Sequence, residues 1–220
     1  MRHFRKFLLL PVFLLAFAQS VRATVTLTFQ AENLLQGGLG SSNVAANSLV
    51  LVVADTTGNG FVNLSPGNIS VGATFGVSSN NLIVAQLPIS AAGIGTNGEN
   101  VLNSSNPYTL TGSWDAGDPL AIYWIPSLNS GATNVGVGIA YGKYTDTTGL
   151  NGSAAWFTPS DGSSQTFLFS TTGVFGTGTV PASSGYASLL TTVPEPSTFA
   201  LLGGLMALGA AAVRRRRKVA

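Results

Sequence analysis

The sequence predicts an all-β domain of about ten short strands, a β-sandwich or jelly roll. Three observations carry this. Short β-rich runs alternate with Gly/Asn/Ser/Asp clusters along the middle of the chain. Residues 24–29 alternate strictly between threonine and an apolar residue, the period of a half-buried strand. Helical periodicity is nearly absent; 31–35 and 90–93 are the only helix candidates.

The elements follow in order. In 24–29, Val25, Leu27 and Phe29 are expected to face the core and Thr24, Thr26 and Thr28 the solvent. The near-continuous apolar run 48–54 reads as a central strand buried on both faces. A Gly-rich turn at 55–60 follows, and 61–64 resumes a strand. Further strands are expected at 69–75, 81–87, 108–112, 120–125, 135–141, 154–157, 166–170 and 185–192. Long loops are expected at 36–43, 93–106 and 145–152, with flexible tethers at 171–185 and 191–196.

The two ends differ from this middle. Residues 1–23 read as a secretory signal peptide: basic Arg2, Arg5 and Lys6, an apolar 7–18, and Val21-Arg22-Ala23 before a cleavage expected after Ala23. The organisation is then a signal peptide (1–23), an exported all-β domain (24–185), a last strand and tether (186–192) and a C-terminal segment (193–220). In that last segment Pro194, Glu195 and Pro196 precede an uncharged stretch, 199–213, that includes Phe199, Leu201, Leu202, Leu205, Met206, Leu208 and Val213. Fifteen helical residues span about 22 Å. That is short against a hydrocarbon core of about 30 Å, with Ser197, Thr198 and snorkelling arginines able to extend the reach. Arg214, Arg215, Arg216, Arg217 and Lys218 form a basic cluster that the positive-inside rule keeps cytoplasmic.

This combination resembles the PEP-CTERM sorting signal of Gram-negative bacteria, over 28 of 220 residues. The resemblance implies recognition and processing by exosortase, a membrane-embedded cysteine protease. It implies a protein that passes the secretion translocon, is held in the membrane by its C-terminal helix, and then joins the cell envelope or extracellular matrix. It says nothing about the fold of the preceding domain.

Composition narrows the chemistry. Lys143 is the one cation of the domain, against Glu32, Asp55, Glu99, Asp115, Asp118, Asp146 and Asp161, for a net charge of −6. Nucleic-acid binding needs a basic surface and is not expected. His3 leaves with the signal peptide, and the chain has no Cys. Ser-His-Asp and Cys-His nucleophiles, zinc sites on His or Cys, and disulfides are therefore excluded from the domain.

Three constellations remain. Residues 55–63 resemble the first part of an EF-hand or dockerin calcium loop, with Asp55, Thr57, Asn59 and the Phe61 carbonyl at alternate positions and Gly60 at the sharp turn. The pattern then fails, because Pro66 stands where a bidentate carboxylate is required. The competing reading is a hairpin turn. Asp115 and Asp118 form an acid pair that can bind calcium, serve as carboxylate catalysts, or cap backbone amides in a polar turn. Trp114, Tyr123, Trp124 and Trp156 are candidates for stacking on glycan or for packing the core. Tyr123 and Trp124 are adjacent in one strand and must point to opposite faces.

The expected function is a non-catalytic envelope or extracellular polysaccharide-matrix protein needing no cofactor, with calcium the one ion considered. The alternatives are a polysaccharide-binding module using exposed aromatics and a hydrolase built on carboxylates.

Overall fold

The computed structural model describes residues 23–37, 42–75, 80–90, 102–111, 113–149 and 154–170, the backbone of 174–175, 178–179 and 190–191, and Met206. Residues 1–22 of the expected signal peptide and all of the sorting segment except Met206 lie outside these residues. Among the described residues no helix is long and apolar enough to cross a membrane.

The strands are β1 (Thr24–Glu32), β2 (Ser48–Asp55), β3 (Gly67–Asn68), β4 (Thr74–Phe75), β5 (Asn81–Pro88), β6 (Leu102–Thr109), β7 (Leu120–Asn129), β8 (Asn134–Val135), β9 (Ala140–Tyr144), β10 (Ser164–Ser170), β11 (Val174–Phe175), β12 (Gly178–Thr179) and β13 (Leu190–Thr191). A six-stranded antiparallel sheet has the order β13-β9-β7-β2-β5-β4. A three-stranded sheet, β10-β1-β6, is mixed: β1 runs parallel to β10 and antiparallel to β6. β3 pairs with β8 and β11 with β12, each over two residues.

The six-stranded sheet is covered on both faces, and β2 shows why. All eight of its residues are buried. Val50, Val52 and Ala54 join Val25, Leu27 and Phe29 of β1 and Phe167 and Phe169 of β10 in the first core, between the two sheets. Leu49, Leu51 and Val53 face the other way, into a second core with Leu64, Ile69, Phe75 and Val135. Full burial of such a side chain contributes roughly 1.5–3 kcal/mol, so neither face of β2 can be left open to water. The expected alternation of β1 is present, with Val25, Leu27 and Phe29 buried and Thr24, Thr26 and Thr28 outward. Trp124 and Tyr123 enter the first and second cores respectively.

Several expected elements are corrected. Residues 61–64 form no strand. Their backbone groups are taken by side chains of the sheet beneath: Tyr123 Oη donates to the Val62 carbonyl (2.7 Å), Lys143 Nζ to the Phe61 carbonyl (3.0 Å), and the Leu64 amide donates to Tyr141 Oη (2.9 Å). Gln86 does the same for the next stretch, donating to the carbonyls of Ile69 and Ala132. Of the run expected at 69–75 only Thr74–Phe75 (β4) is strand, with β3 just before it, and the run expected at 135–141 breaks into β8 and β9, because turns intervene. The loop expected at 93–106 contains most of β6, which starts at Leu102. Its Ser/Asn-rich sequence has low intrinsic β-propensity, and pairing with β1 supplies the order. Pro107 is tolerated there because β6 is an edge. The helix candidate 31–35 is instead the end of β1 followed by a bridge from Leu35 to Asn43, and the strand at 154–157 reduces to one bridge between Pro119 and Phe157.

Gly142 sits opposite Trp124 in the β7–β9 register, and a Cβ there would collide with the indole ring. Gly142→Ala is expected to destabilise the domain by about 1–3 kcal/mol. Gly136→Ala, whose Cβ would meet only Ile139 at 3.8 Å, should leave the urea midpoint nearly unchanged. Equal midpoints for the two variants would refute this reading of the Trp124 contact.

Candidate functional site

The calcium-like loop is a capped turn. Asp55 ends β2 and is 1% exposed. Its Oδ1 accepts from the amides of Thr57 (3.2 Å) and Gly58 (3.0 Å) and from Thr57 Oγ1 (3.4 Å), and its Oδ2 accepts from the Gly60 amide (2.6 Å). Gly58 and Gly60 have φ of 70° and 90°, which few side chains tolerate. Asn59, exposed, donates to Thr57 Oγ1 (3.0 Å). The Phe61 carbonyl, the expected cation ligand, receives the ammonium of Lys143 instead. Asn81 fixes the far side, donating to the Gly60 carbonyl and accepting from the Val62 amide.

The tetrapeptide Asp-Thr-Thr-Gly recurs at 146–149, a repeat that the sequence reading passed over, and the geometry recurs with it. Asp146 is 5% exposed, and its Oδ1 accepts from the Thr148 amide (2.9 Å), Thr148 Oγ1 (2.8 Å) and the Gly149 amide (3.0 Å). Both loops close strands that flank β7 and run antiparallel to it, so both lie at the end of the sheet where β7 begins.

The pair Asp115 and Asp118 stands at that same end, on one turn. Asp118 Oδ2 accepts from the Asp115 amide (2.8 Å). Burial raises the Asp118 pKa, the Asp115 amide opposes this, and the charges of Asp115 and Asp55 add to the rise. Two acids joined across one turn do not face each other across a cleft, the geometry that carboxylate hydrolysis requires. Among the described residues no group of three or more His, Cys, Asp or Glu is placed to hold a metal ion. The carboxylates of Asp55 and Asp118 accept from backbone amides of their own turns, and Asn59 donates within its turn.

The four stacking candidates are interior. Trp114, Tyr123, Trp124 and Trp156 are 3%, 0%, 0% and 1% exposed. Trp156 packs against Phe29, Tyr144 and Phe167, and Tyr123 against Phe75 and Tyr141. Trp114 Nε1 donates to Thr158 Oγ1 (2.7 Å). Tyr123, Trp124 and Trp156 are taken up by packing in the two cores, and Trp114 reaches the surface only at the wall of one cleft.

A cleft of about 340 Å³ opens at the edge between the sheets. Leu82, Val84, Tyr108 and Trp114 give it an apolar wall, and Thr111 and Ser113 carry hydroxyls; among the described residues no charged one lines it. Tyr108, half-buried and edge-on to Trp114, is the residue that sequence reasoning missed here. It lies in the stretch read as the start of a strand, with nothing to mark its partial exposure. Its described lining is apolar surface and hydroxyls.

Comparison with protein-family models, with curated proteins and with solved structures finds no match.

Two predictions follow from the side chains that hold the loops. Removing the buried Asp55 carboxylate takes the acceptor from three amides of the exposed 57–60 turn, so Asp55→Ala is expected to cost about 1–3 kcal/mol. Asp115→Ala, on an exposed residue, should stay within about 0.5–1 kcal/mol. Urea titrations that reverse this order would contradict the capping role.

The second concerns alkaline pH. Burial raises the pKa of Tyr123, Tyr141 and Tyr144, with the charge of Tyr141 and then Asp55 adding at Tyr123 and that of Asp146 at Tyr144; at Tyr141 the bond to Leu64 opposes the rise. A raised phenol pKa stabilises the fold fully below the unfolded value of about 10 and loses that contribution as pH climbs toward the folded value. Lys143, lowered by burial, has the opposite sign, its contribution growing as pH rises toward its ordinary value. Three phenols outweigh one amine. The Tm is expected to hold to about pH 9 and fall above about pH 10, with tyrosinate absorbance appearing together with unfolding. Tyrosinate absorbance that titrates fully in a folded chain would contradict it.

Proposed function

We propose that this chain is an exported, non-catalytic component of the cell envelope or of an extracellular polysaccharide matrix, sorted and processed at a C-terminal PEP-CTERM-type signal. The observation that carries this reading is the order of Pro194-Glu195-Pro196, the uncharged stretch 199–213 and the basic cluster Arg214 to Lys218. In this reading the two sheets that share the first core form a β-sandwich, the cargo delivered by the two terminal signals. A signal peptide brings the chain to the secretion translocon and the C-terminal helix holds it in the membrane. An exosortase-type protease then acts at the exposed proline-flanked segment, which cannot continue the helix backward.

The character of the domain supports a cargo role. It has no Cys or His, one Lys, and a surface rich in uncharged hydroxyl and amide groups, compatible with a hydrated, sugar-rich setting. β1 begins at Thr24, the residue after the expected signal cleavage, and its amide donates to Asp161 Oδ1 (2.7 Å).

Intact mass and fractionation of the protein from its native host test the proposal. The wild type is expected to lack both ends and to leave the membrane, whereas Pro194→Ala with Pro196→Ala remains membrane-bound. A wild-type protein that keeps its Arg-rich tail in the membrane would overturn the sorting reading and leave a simple C-terminal anchor.

A further inference from the structure

The N-terminal end of β1 is pinned by the turn 160–163. Thr24, the first residue of β1, follows Ala23, after which signal cleavage is expected. Its amide donates to Asp161 Oδ1 (2.7 Å) and its carbonyl accepts from the Gly162 amide (2.9 Å). Two residues on, the Thr26 amide donates to the Ser163 carbonyl (3.0 Å). The Ser163 amide closes the turn on the Ser160 carbonyl (3.0 Å), with Gly162 at φ 73°, where a side chain is strained. Asp55, Asp118 and Asp146 accept from amides of their own turns. Asp161 instead reaches a nitrogen 137 positions away in the sequence. The turn thus holds the nitrogen and the carbonyl of one residue at once, with the carboxylate on the nitrogen.

We propose that the 160–163 turn is the receptor for the mature N-terminus: Asp161 binds the α-ammonium that signal cleavage creates on Thr24. This inference rests on the signal-peptide part of the export reading. Cleavage adds water across the Ala23–Thr24 bond. The Ala23 carbonyl carbon takes the oxygen and departs as a carboxylate, and the Thr24 nitrogen takes both hydrogens and becomes an ammonium. The bond from the Leu110 amide to the Ala23 carbonyl (2.8 Å) is lost in the exchange. The contact with Asp161 becomes charge-assisted, for which separations of about 2.7–2.9 Å are usual. The first residues of a domain fray unless they are tied down. β1 is the middle strand of β10-β1-β6, so fixing its start secures the pairing on both sides.

The elements beside Thr24 are β6, where Thr109 is its partner, and the turn itself. Of their described titratable groups Asp161 carries charge at neutral pH. Tyr108, raised by burial with the bond to Asn106 opposing, stays neutral below about pH 10. A carboxylate partner raises the pKa of an α-ammonium. The contribution of the pair to stability is complete below the unfolded value of about 7.7–8.0 and is lost as pH climbs through the folded value.

The test uses the protein processed in its native host, as wild type and as Asp161→Asn, which keeps an acceptor and loses the charge. Mass spectrometry identifies the N-terminal residue, and the α-amine, tagged with carbon-13 by reductive methylation, is titrated by NMR. The wild type is expected to begin at Thr24 and to titrate about half a unit above the ordinary α-amino value, with Asp161→Asn back at that value. Salt at about 1 M is expected to remove most of the wild-type shift, a readout that decides the matter even where Asp161→Asn does not fold. Equal pKa values in wild type and variant, or a wild-type value indifferent to salt, would overturn the receptor. A wild type that begins at any other residue overturns it by a different route, since Thr24 then carries no ammonium and the expected signal cleavage is itself refuted.

Discussion

A central strand with apolar side chains on both faces sets the rest of this structure. β2 leaves the chain two apolar surfaces to cover. A second sheet covers the first. Among the described residues no further sheet of comparable size covers the other, and irregular segments with short β3–β8 and β4 pairings do so instead. Irregular backbone over an apolar surface carries amides and carbonyls that need partners. Tyr123, Tyr141, Lys143 and Gln86, projecting from the sheet, provide them. The polar tips of large side chains thus do on this face what a strand ladder does on the other.

The same economy governs the acids. Asp55 and Asp146 are buried carboxylates whose oxygens accept from backbone amides and neighbouring hydroxyls, in two copies of one tetrapeptide. Hydrogen bonds to a carboxylate stabilise its charged form without a cation nearby, which suits a domain with one lysine. The acidic end of the sheet is a consequence of this loop chemistry.

Sequence periodicity made the strongly patterned strands legible: β1, β2, β5, β7 and β10 lie where apolar runs or alternation put them, and the two-faced burial of β2 and the opposed directions of Tyr123 and Trp124 followed from the same rule. What was not legible depends on distant partners. Phe61 to Leu64 reads as a strand by residue type, and the sheet's side chains decide otherwise. β6 reads as a loop because Ser and Asn conceal an alternation that only pairing with β1 reveals. Among the site residues, the turn role of Asp55 was visible in its Gly-rich context. The burial of all three tryptophans was not, since adjacency fixes which faces the rings take and not whether both faces are covered. The cleft beside Tyr108 lies between elements far apart in the chain and leaves no local signature.

Lys143 carries one further implication. It is the only basic residue between Ala23 and the C-terminal cluster; it is half-buried, with its ammonium held by the Phe61 carbonyl and above the Tyr123 ring. A trypsin-like enzyme cuts only after Lys or Arg and needs the bond in an open, extended segment. In the folded domain that leaves one candidate bond, on β9, whose backbone is paired with β7 and whose side chain is already engaged. Resistance to an entire specificity class of degradative enzymes is thereby built into the composition, independent of how tightly the rest of the chain is packed.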